Sequence, residues 1–306
     1  MQATPKVLRE RAYKERQRIK EVLNGDDFIP EDLIATFSMD LGQMTFSAMR
    51  GANETMLEWN ADTGVWEKYD LRTHTLMVMR QFEKYFAKRT LPAGTNKDFY
   101  RLLIALHDIG KPAALREEDA SRQFAYTQKL INDLRPVLPW NDDEIALALA
   151  ILSDDPIGKY LKSEYSLNYA VDRIRKMARR AHVPVDRFFD ILTVFYQCDV
   201  ASYTEDAGGR TSLDFIFKQE EDGFVFSETA GRLKFASGGT RTVFNRLENA
   251  VKSPDSVWFI FLKEIGEKIY ERTRSVFASK KAHSMSREKI GRAHVSTPVT
   301  LFHLVC

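Results

Sequence analysis

The stretch LLIALHDIGKP, residues 102–112, decides the fold of this chain. Five apolar residues run directly into His107 and Asp108, and Gly110 and Pro112 then end the helical pattern. Neighbouring positions on a helix point about 100° apart, so two adjacent polar side chains reach one ion only at the edge of a buried face. A metal ion removes the cost of burying them, because it neutralises the carboxylate and uses the imidazole lone pair. A metal site at the end of an apolar helix is therefore one interpretation of the pair, although an isolated His-Asp dipeptide more often has a structural role.

Two remote residues extend this pattern on other predicted helices. His74 begins an amphipathic stretch upstream, and Asp199 lies in the apolar text VFYQCDVASY downstream. The arrangement H…HD…D resembles the HD-domain superfamily of metal-dependent phosphohydrolases over residues 69–202. This resemblance implies a helical bundle and one divalent ion, whose ligands would be His74, His107, Asp108 and Asp199. Such ligands leave positions open for water and a phosphoryl oxygen, and they suit Mn, Fe, Co, Ni, Mg or Zn alike.

The small number of histidines favours one ion over two. Two-metal members of the superfamily, including cyclic-dinucleotide phosphodiesterases and di-iron oxygenases, use further histidines between the HD pair and the last Asp. Here only His182 lies in that interval, in a predicted loop before Pro184, where most such histidines are solvated. The segment SRQFAYT has Phe124 at its centre, where another member would supply a histidine.

Four residues near the pair are candidates for catalysis or substrate binding. Asp108 and Lys111 are the catalytic candidates, because the carboxylate can accept a proton and the ammonium can hold a phosphate. A solvated lysine at a helix end is the alternative for Lys111. Arg122 and Tyr126 are candidate substrate contacts, with ordinary surface roles as the alternative.

These residues predict hydrolysis of a phosphate ester or phosphoanhydride, and within the superfamily a nucleotide is the expected substrate. The alternative is a non-catalytic HD module that binds a nucleotide or a partner protein for signalling. A third possibility is contact with nucleic acid through the charged, basic segment 6–23. The sequence does not reveal the oligomeric state.

Composition sets the class of protein. The chain has 306 residues, of which 44% are hydrophobic, and its net charge of +2 does not favour polyanion binding. Cys198 and Cys306 are the only cysteines, so no disulfide framework is expected. The N-terminus carries charges throughout and does not resemble a signal peptide, and the apolar runs 145–152 and 257–262 are too short to span a membrane. We expect a cytoplasmic globular protein without a membrane partner.

Periodicity predicts a mainly α fold with one or two short β-hairpins. Apolar residues recur every three or four positions in 76–86, 99–109, 143–153, 169–181, 185–203 and 256–277. Hairpins are expected at 58–69 and 224–235, and a helix start at Pro30. The predicted domains are an N-terminal helical extension (1–60) and an HD-type domain (61–289) with a hairpin insert near 222–236.

The last segment, 290–306, is expected to be non-native. Its text IGRAHVSTPVT resembles the translation of a sequencing-adapter oligonucleotide. His294, His303 and Cys306 are therefore excluded from any site.

Overall fold

The computed structural model describes residues 5–25, 27–38, 58–62, 69–203 and 216–253. All of them belong to one compact unit, Met1–Ser253, whereas a second unit, Pro254–Cys306, lies outside the described residues. The helix predicted over 256–277, the domain boundary at 289 and the tail 290–306 therefore fall outside them as well. Within the described ranges, no helix combines the length and apolarity that a membrane span requires.

The described residues are mainly α-helical, which confirms the predicted fold class. The internal helices expected from the apolar repeat all form, and Pro30 begins a helix as predicted. The described helices are α1 (Pro5–Asn24), α2 (Pro30–Ser38), α3 (Leu71–Tyr85), α4 (Lys97–Leu106), α5 (Lys111–Arg116), α6 (Gln123–Leu134), α7 (Asp142–Ile151), α8 (Pro156–Leu161), α9 (Leu167–Arg180), α10 (Val185–Ser202) and α11 (Gly238–Lys252), with a single 3₁₀ turn at Ala120–Arg122.

Helix α4 lies at the centre of the core. Its residues from Phe99 to Leu106 are all buried, and an Asn96 side chain caps its start by accepting a hydrogen bond from Phe99 N at 2.8 Å. Helices α3 and α10 pack on each other beside it, and α9 packs on α10, α7 and α11. A fully buried helix of this kind can present polar side chains to a cavity only at its ends.

Helix α4 ends earlier than the sequence predicts, at Leu106 instead of residue 109. The next residues form a turn in which Gly110 N donates to Thr127 Oγ1 of α6 at 3.1 Å. This turn directs the chain into α5, and it places His107 and Asp108 just beyond the helix instead of within its last turn.

The β structure consists of two short antiparallel strand pairs. Strand β1 (Gln219–Glu220) pairs with β2 (Gly223–Phe224), and β3 (Phe226–Ser227) pairs with β4 (Arg232–Leu233). The second pair confirms the hairpin predicted at 224–235, with Gly231 at a φ of 59° in its turn. In the hairpin predicted at 58–69, Asp62 and Asp70 form an isolated bridge, and residues 63–68 lie outside the described ranges.

The N-terminal helices pack on the rest of this unit. Ile19 and Leu23 of α1 are buried, and most of the charged residues of α1 face away. Arg101 of α4, itself only 4% exposed, donates to the backbone oxygen of Leu23 at 2.9 Å. The same guanidinium forms two hydrogen bonds with Glu83 and lies over the Phe28 ring. Helices α1 and α2 thus share the core of the helices that follow.

Candidate metal centre

Three helices bring the four predicted ligands to one place. Helix α3 contributes His74 from its first turns, the turn after α4 contributes His107 and Asp108, and α10 contributes Asp199 near its C-terminal end. His74 is fully buried and His107 is 6% exposed. Side chains that are remote in sequence therefore converge in the interior of the fold.

The donor atoms of three of these residues form a nearly equilateral triangle. His74 Nε2 lies 3.3 Å from His107 Nε2, and Asp108 Oδ2 lies 3.2 Å from each of these nitrogens. The centre of such a triangle is about 1.9 Å from each corner, close to the length of about 2.0–2.2 Å for bonds from a metal ion to nitrogen or oxygen. Within the described ranges, this buried group is the one whose spacing could hold a metal ion.

Asp199 faces the same point from a fourth direction. Its Oδ1 atom lies 3.5 Å from His74 Nε2 and 3.7 Å from His107 Nε2. These separations are long for hydrogen bonds, but they are of the order expected between two ligands of one ion. The oxygen is buried and has no hydrogen-bond partner among the described residues.

A hydrogen bond at Nδ1 of His107 determines which nitrogen of the imidazole presents a lone pair to the centre. His107 Nδ1 lies 2.7 Å from the backbone oxygen of Ile104. Because a carbonyl oxygen can only accept, Nδ1 must carry the hydrogen, and Nε2 then presents its lone pair to the centre. The corresponding Nδ1 of His74 is buried without a hydrogen-bond partner in the part of the chain that the structure describes.

In the absence of a cation, a proton on His74 partly balances the charge of the two carboxylates. Burial opposes the charged imidazolium, but Asp108 and Asp199 outweigh this effect and raise the pKa of His74 to about 9. Burial also opposes the charged form of Asp108, yet His107, Lys111 and His74 hold its pKa well below the usual value. The pKa of Asp199 is lowered too, because the two imidazoles outweigh its burial. The cluster thus contains two carboxylates whose charge a proton or a bound cation can balance.

Lys111 supplies a further positive charge from the first position of α5. Its Nζ atom lies 2.7 Å from Asp108 Oδ2, the same oxygen that faces both imidazoles, and its side chain is only 12% exposed. The lysine thus lies directly beside the cluster.

Gly110 allows the turn to approach α6. A Cβ atom at this position would lie 2.5 Å from the backbone oxygen of Gln123 and closer still to the backbone nitrogen of Thr127. Thr127 also donates from Oγ1 to the backbone oxygen of His107, at 3.4 Å. Helix α6 therefore fixes the position of the turn that carries two of the ligands.

The cluster lies in the wall of a pocket of about 520 Å³. His107, Asp108, Lys111 and Asp199 line it, together with groups that the sequence analysis did not single out. These include Asp155, which caps α8 by accepting a hydrogen bond from Gly158 N at 2.9 Å, and Lys159 one turn later. The dipeptide Asp155-Pro156 is a sequence signal for this helix start, but nothing in it indicates proximity to the HD pair. Phe124, the residue at the centre of SRQFAYT, also lines the pocket, and further polar and aromatic members include Lys162, Glu164, Phe195, Tyr196 and Tyr203.

The other candidates are not brought to the pocket wall. Arg122 is exposed and Tyr126 is half-buried, and both side chains bind Glu117. His182 is exposed and ends α9 in a left-handed conformation, with a φ of 54°, in agreement with a solvated role.

Comparisons of this chain with protein-family models, with curated proteins and with solved structures give no match.

Proposed function

We propose that this chain is a metal-dependent phosphohydrolase that acts on a phosphate ester or phosphoanhydride. The triangle formed by His74 Nε2, His107 Nε2 and Asp108 Oδ2 is the observation that supports it most directly. In this proposal the three residues and Asp199 bind one divalent ion, as the resemblance to the HD-domain superfamily implies. The same resemblance is the basis for proposing a nucleotide as substrate.

Each residue would have a distinct role in the reaction. When bound, a divalent ion would act as a Lewis acid toward the phosphoryl group and make water a stronger nucleophile at neutral pH. Lys111, beside Asp108, would bind a phosphoryl oxygen and stabilise the charge that develops there. The Ile104 carbonyl would keep the His107 lone pair directed at the centre. Phe124, Phe195 and Tyr196 would exclude bulk water from the pocket.

Elemental analysis followed by a nucleotide screen tests the proposal. We expect about one divalent ion per chain and release of phosphate or of a nucleotide fragment that depends on that ion. His107→Ala and Asp199→Asn should each lower metal content and reduce kcat/KM at least about 100-fold, because each removes a ligand. Asp199→Asn is nearly isosteric, so its loss of activity would not reflect a packing defect.

Two exposed positions supply matched controls for these variants. His182→Ala and Asp142→Asn should retain both metal and activity, since the first lies at the end of α9 and the second has an 87% exposed side chain. Protein that binds nucleotides but hydrolyses none of them, with any divalent ion, would favour the non-catalytic module. Activity unchanged in both ligand variants would contradict the proposed centre.

A further inference from the structure

We propose that the substrate is a phosphodiester, with one negative charge at the reacting phosphorus, and not a phosphate monoester or a polyphosphate. This inference rests on the proposed metal-dependent hydrolysis and concerns which phosphate compound the pocket accepts. It is carried by the balance of charges around the pocket and by the position of its apolar walls.

The charged side chains that line the pocket within the described ranges leave no surplus positive charge for a polyanion. Three lysines face five carboxylates among these residues, an excess of two negative charges that one divalent ion would cancel. A phosphate dianion or a triphosphate would then carry uncompensated charge into a partly enclosed space, whereas a diester brings a single charge. The residues counted are Lys111, Lys159, Lys162, Asp108, Asp154, Asp155, Glu164 and Asp199.

Two of the lysines are already engaged with carboxylates of the wall. Lys111 Nζ lies 2.7 Å from Asp108 Oδ2, and Lys159 Nζ lies 2.7 Å from the buried Asp154. Asp154 also accepts a hydrogen bond from Arg173 Nε at 2.7 Å, so this second pair belongs to a structural network behind the wall. Two of the three lysines among the described wall residues therefore already face carboxylates, whereas phosphate chains in other proteins are bound by several cations.

Asp155 contributes one of these carboxyl groups from the start of α8, where it accepts a hydrogen bond from Gly158 N at 2.9 Å. A second charged oxygen on the substrate phosphorus would add to the negative charge of this wall.

Apolar groups line the pocket on more than one side. Phe124 belongs to α6, Leu152 follows α7, and Leu192 and Phe195 belong to α10. A diester carries an organic group on each of two oxygens, so both groups can contact apolar surface while the phosphorus faces the cluster. A volume of about 520 Å³ is within the usual range for a small-molecule ligand.

The reaction converts this substrate into a product that the pocket binds less well. Water forms a new P–O bond and the P–O bond to one organic group breaks. That group leaves as an alcohol with one proton of the water. The second proton passes to solvent as the resulting monoester ionises, so the product carries one more negative charge than the substrate. The same charge balance that favours the diester thus favours release of the product.

A pair of ligands that cannot be hydrolysed isolates the effect of charge. Methyl(phenyl)phosphinate and phenylphosphonate differ by a methyl group in place of a charged oxygen, and both have P–C bonds. At a pH where the phosphonate is a dianion, calorimetry with the manganese-loaded protein should show the phosphinate binding at least about threefold more tightly. Equal or tighter binding of the phosphonate would overturn the inference.

Asp155→Asn tests whether the charge of the wall causes this preference. Asparagine caps a helix start as well as aspartate does, but it carries no charge. The variant should reduce the preference for the phosphinate by about threefold, whereas Asp142→Asn, an equal change of charge at an exposed site, should leave it unaltered. A preference that is the same in wild type and in Asp155→Asn would contradict the role given to the wall.

Turnover separates this inference from the function on which it rests. With manganese, bis(p-nitrophenyl) phosphate should give a higher kcat/KM than p-nitrophenyl phosphate, which has the same leaving group. Preferential hydrolysis of the monoester would refute the diester but leave the phosphohydrolase intact. Hydrolysis of neither compound, nor of any nucleotide, would refute the phosphohydrolase itself.

Discussion

At the scale of single residues, buried charge is the main feature of this protein. His74, Asp108 and Asp199 are ionisable groups in the interior. Burial opposes the charged form of each, but neighbouring side chains outweigh burial, so the pKa of His74 is raised and the pKa values of both carboxyls are lowered. Such groups are costly to bury unless they neutralise one another or bind a cation. Asp155, in the same pocket, is instead a carboxyl whose neutral form is favoured, because burial of the group outweighs the hydrogen bond from Gly158 and the nearby lysines.

The pKa of Asp155 predicts a pH-dependent stability. Its value in the folded protein, about 6, lies above the ordinary value of 3.8, so folding favours the protonated form. Its stabilising contribution is therefore complete below about pH 4 and is lost as the pH rises through about 6, a change of about 1–3 kcal/mol. Asp155→Asn should consequently unfold at higher urea concentration than wild type at pH 7, with the advantage disappearing near pH 4.

The free energy of unfolding of the variant is compared with that of wild type at each pH, so that the contributions of titratable groups present in both proteins cancel. Asp142→Asn, an exposed site, should change the free energy of unfolding by less than about 0.5 kcal/mol at every pH. An Asp155→Asn variant whose difference from wild type stays constant between pH 4 and pH 7 would refute the prediction.

At the scale of secondary-structure elements, the turn between α4 and α5 holds two of the proposed ligands and depends on contact with α6. Thr127 accepts a hydrogen bond from Gly110 N and donates one to the backbone oxygen of His107. Glycine is required here because there is no room for a Cβ atom. Its backbone angles do not require it, since its φ of −88° is one that any residue can adopt.

Gly110→Ala should therefore disturb both the fold and the centre. The added Cβ would overlap backbone atoms of Gln123 and Thr127, which cannot rotate away, so we expect a loss of about 1–3 kcal/mol in the free energy of unfolding. Displacement of the turn should also weaken metal binding about tenfold or more, measured by competition with a chelating dye.

Gly238→Ala is the matched control for this change. Gly238 begins α11, and an added Cβ there would meet no atom within 4 Å. It should leave metal affinity unchanged and raise stability by up to about 1 kcal/mol, because alanine favours a helix. Equal metal affinity in the two variants would show that contact with α6 does not position the ligands.

At the scale of the whole described unit, a buried arginine connects the N-terminal helices to the core. Arg101 of α4 binds Glu83 of α3, the last turn of α1 through Leu23, and the Phe28 ring before α2. A second connection, between Arg80 of α3 and Glu31 of α2, lies on the surface, with side chains 60% and 45% exposed.

The two arginines should differ strongly when each is replaced by alanine. Arg101→Ala leaves Glu83 partly buried without its partner, and should reduce the free energy of unfolding by about 3–5 kcal/mol. Arg80→Ala removes an exposed pair that solvent screens, and should cost less than about 1 kcal/mol. Urea unfolding measures both, and similar losses in the two variants would show that the buried arginine is not a main connection.

The mainly helical fold was predictable from the sequence, because it follows from local pattern, whereas the set of four candidate ligands came from the resemblance to the HD-domain superfamily. Apolar residues at helical spacing specify which face of a segment is buried, as α3, α4 and α10 show. A His-Asp pair at the end of such a segment is costly to bury unless a cation or a proton compensates it. His74 and Asp199 were predicted from the H…HD…D pattern, and the structure brings both to the pair.

The rest was decided by tertiary structure alone. Asp155, Lys159 and Phe195 meet the pair only because α8 and α10 pack around it, whereas Arg122 and Tyr126, much closer in sequence, bind Glu117 instead. Distances between donor atoms, the charge balance of a wall and the pKa of a buried carboxyl depend on which segments approach one another through space. Helical periodicity determines what each segment buries, but it contains no information about which side chains will face each other across a cavity.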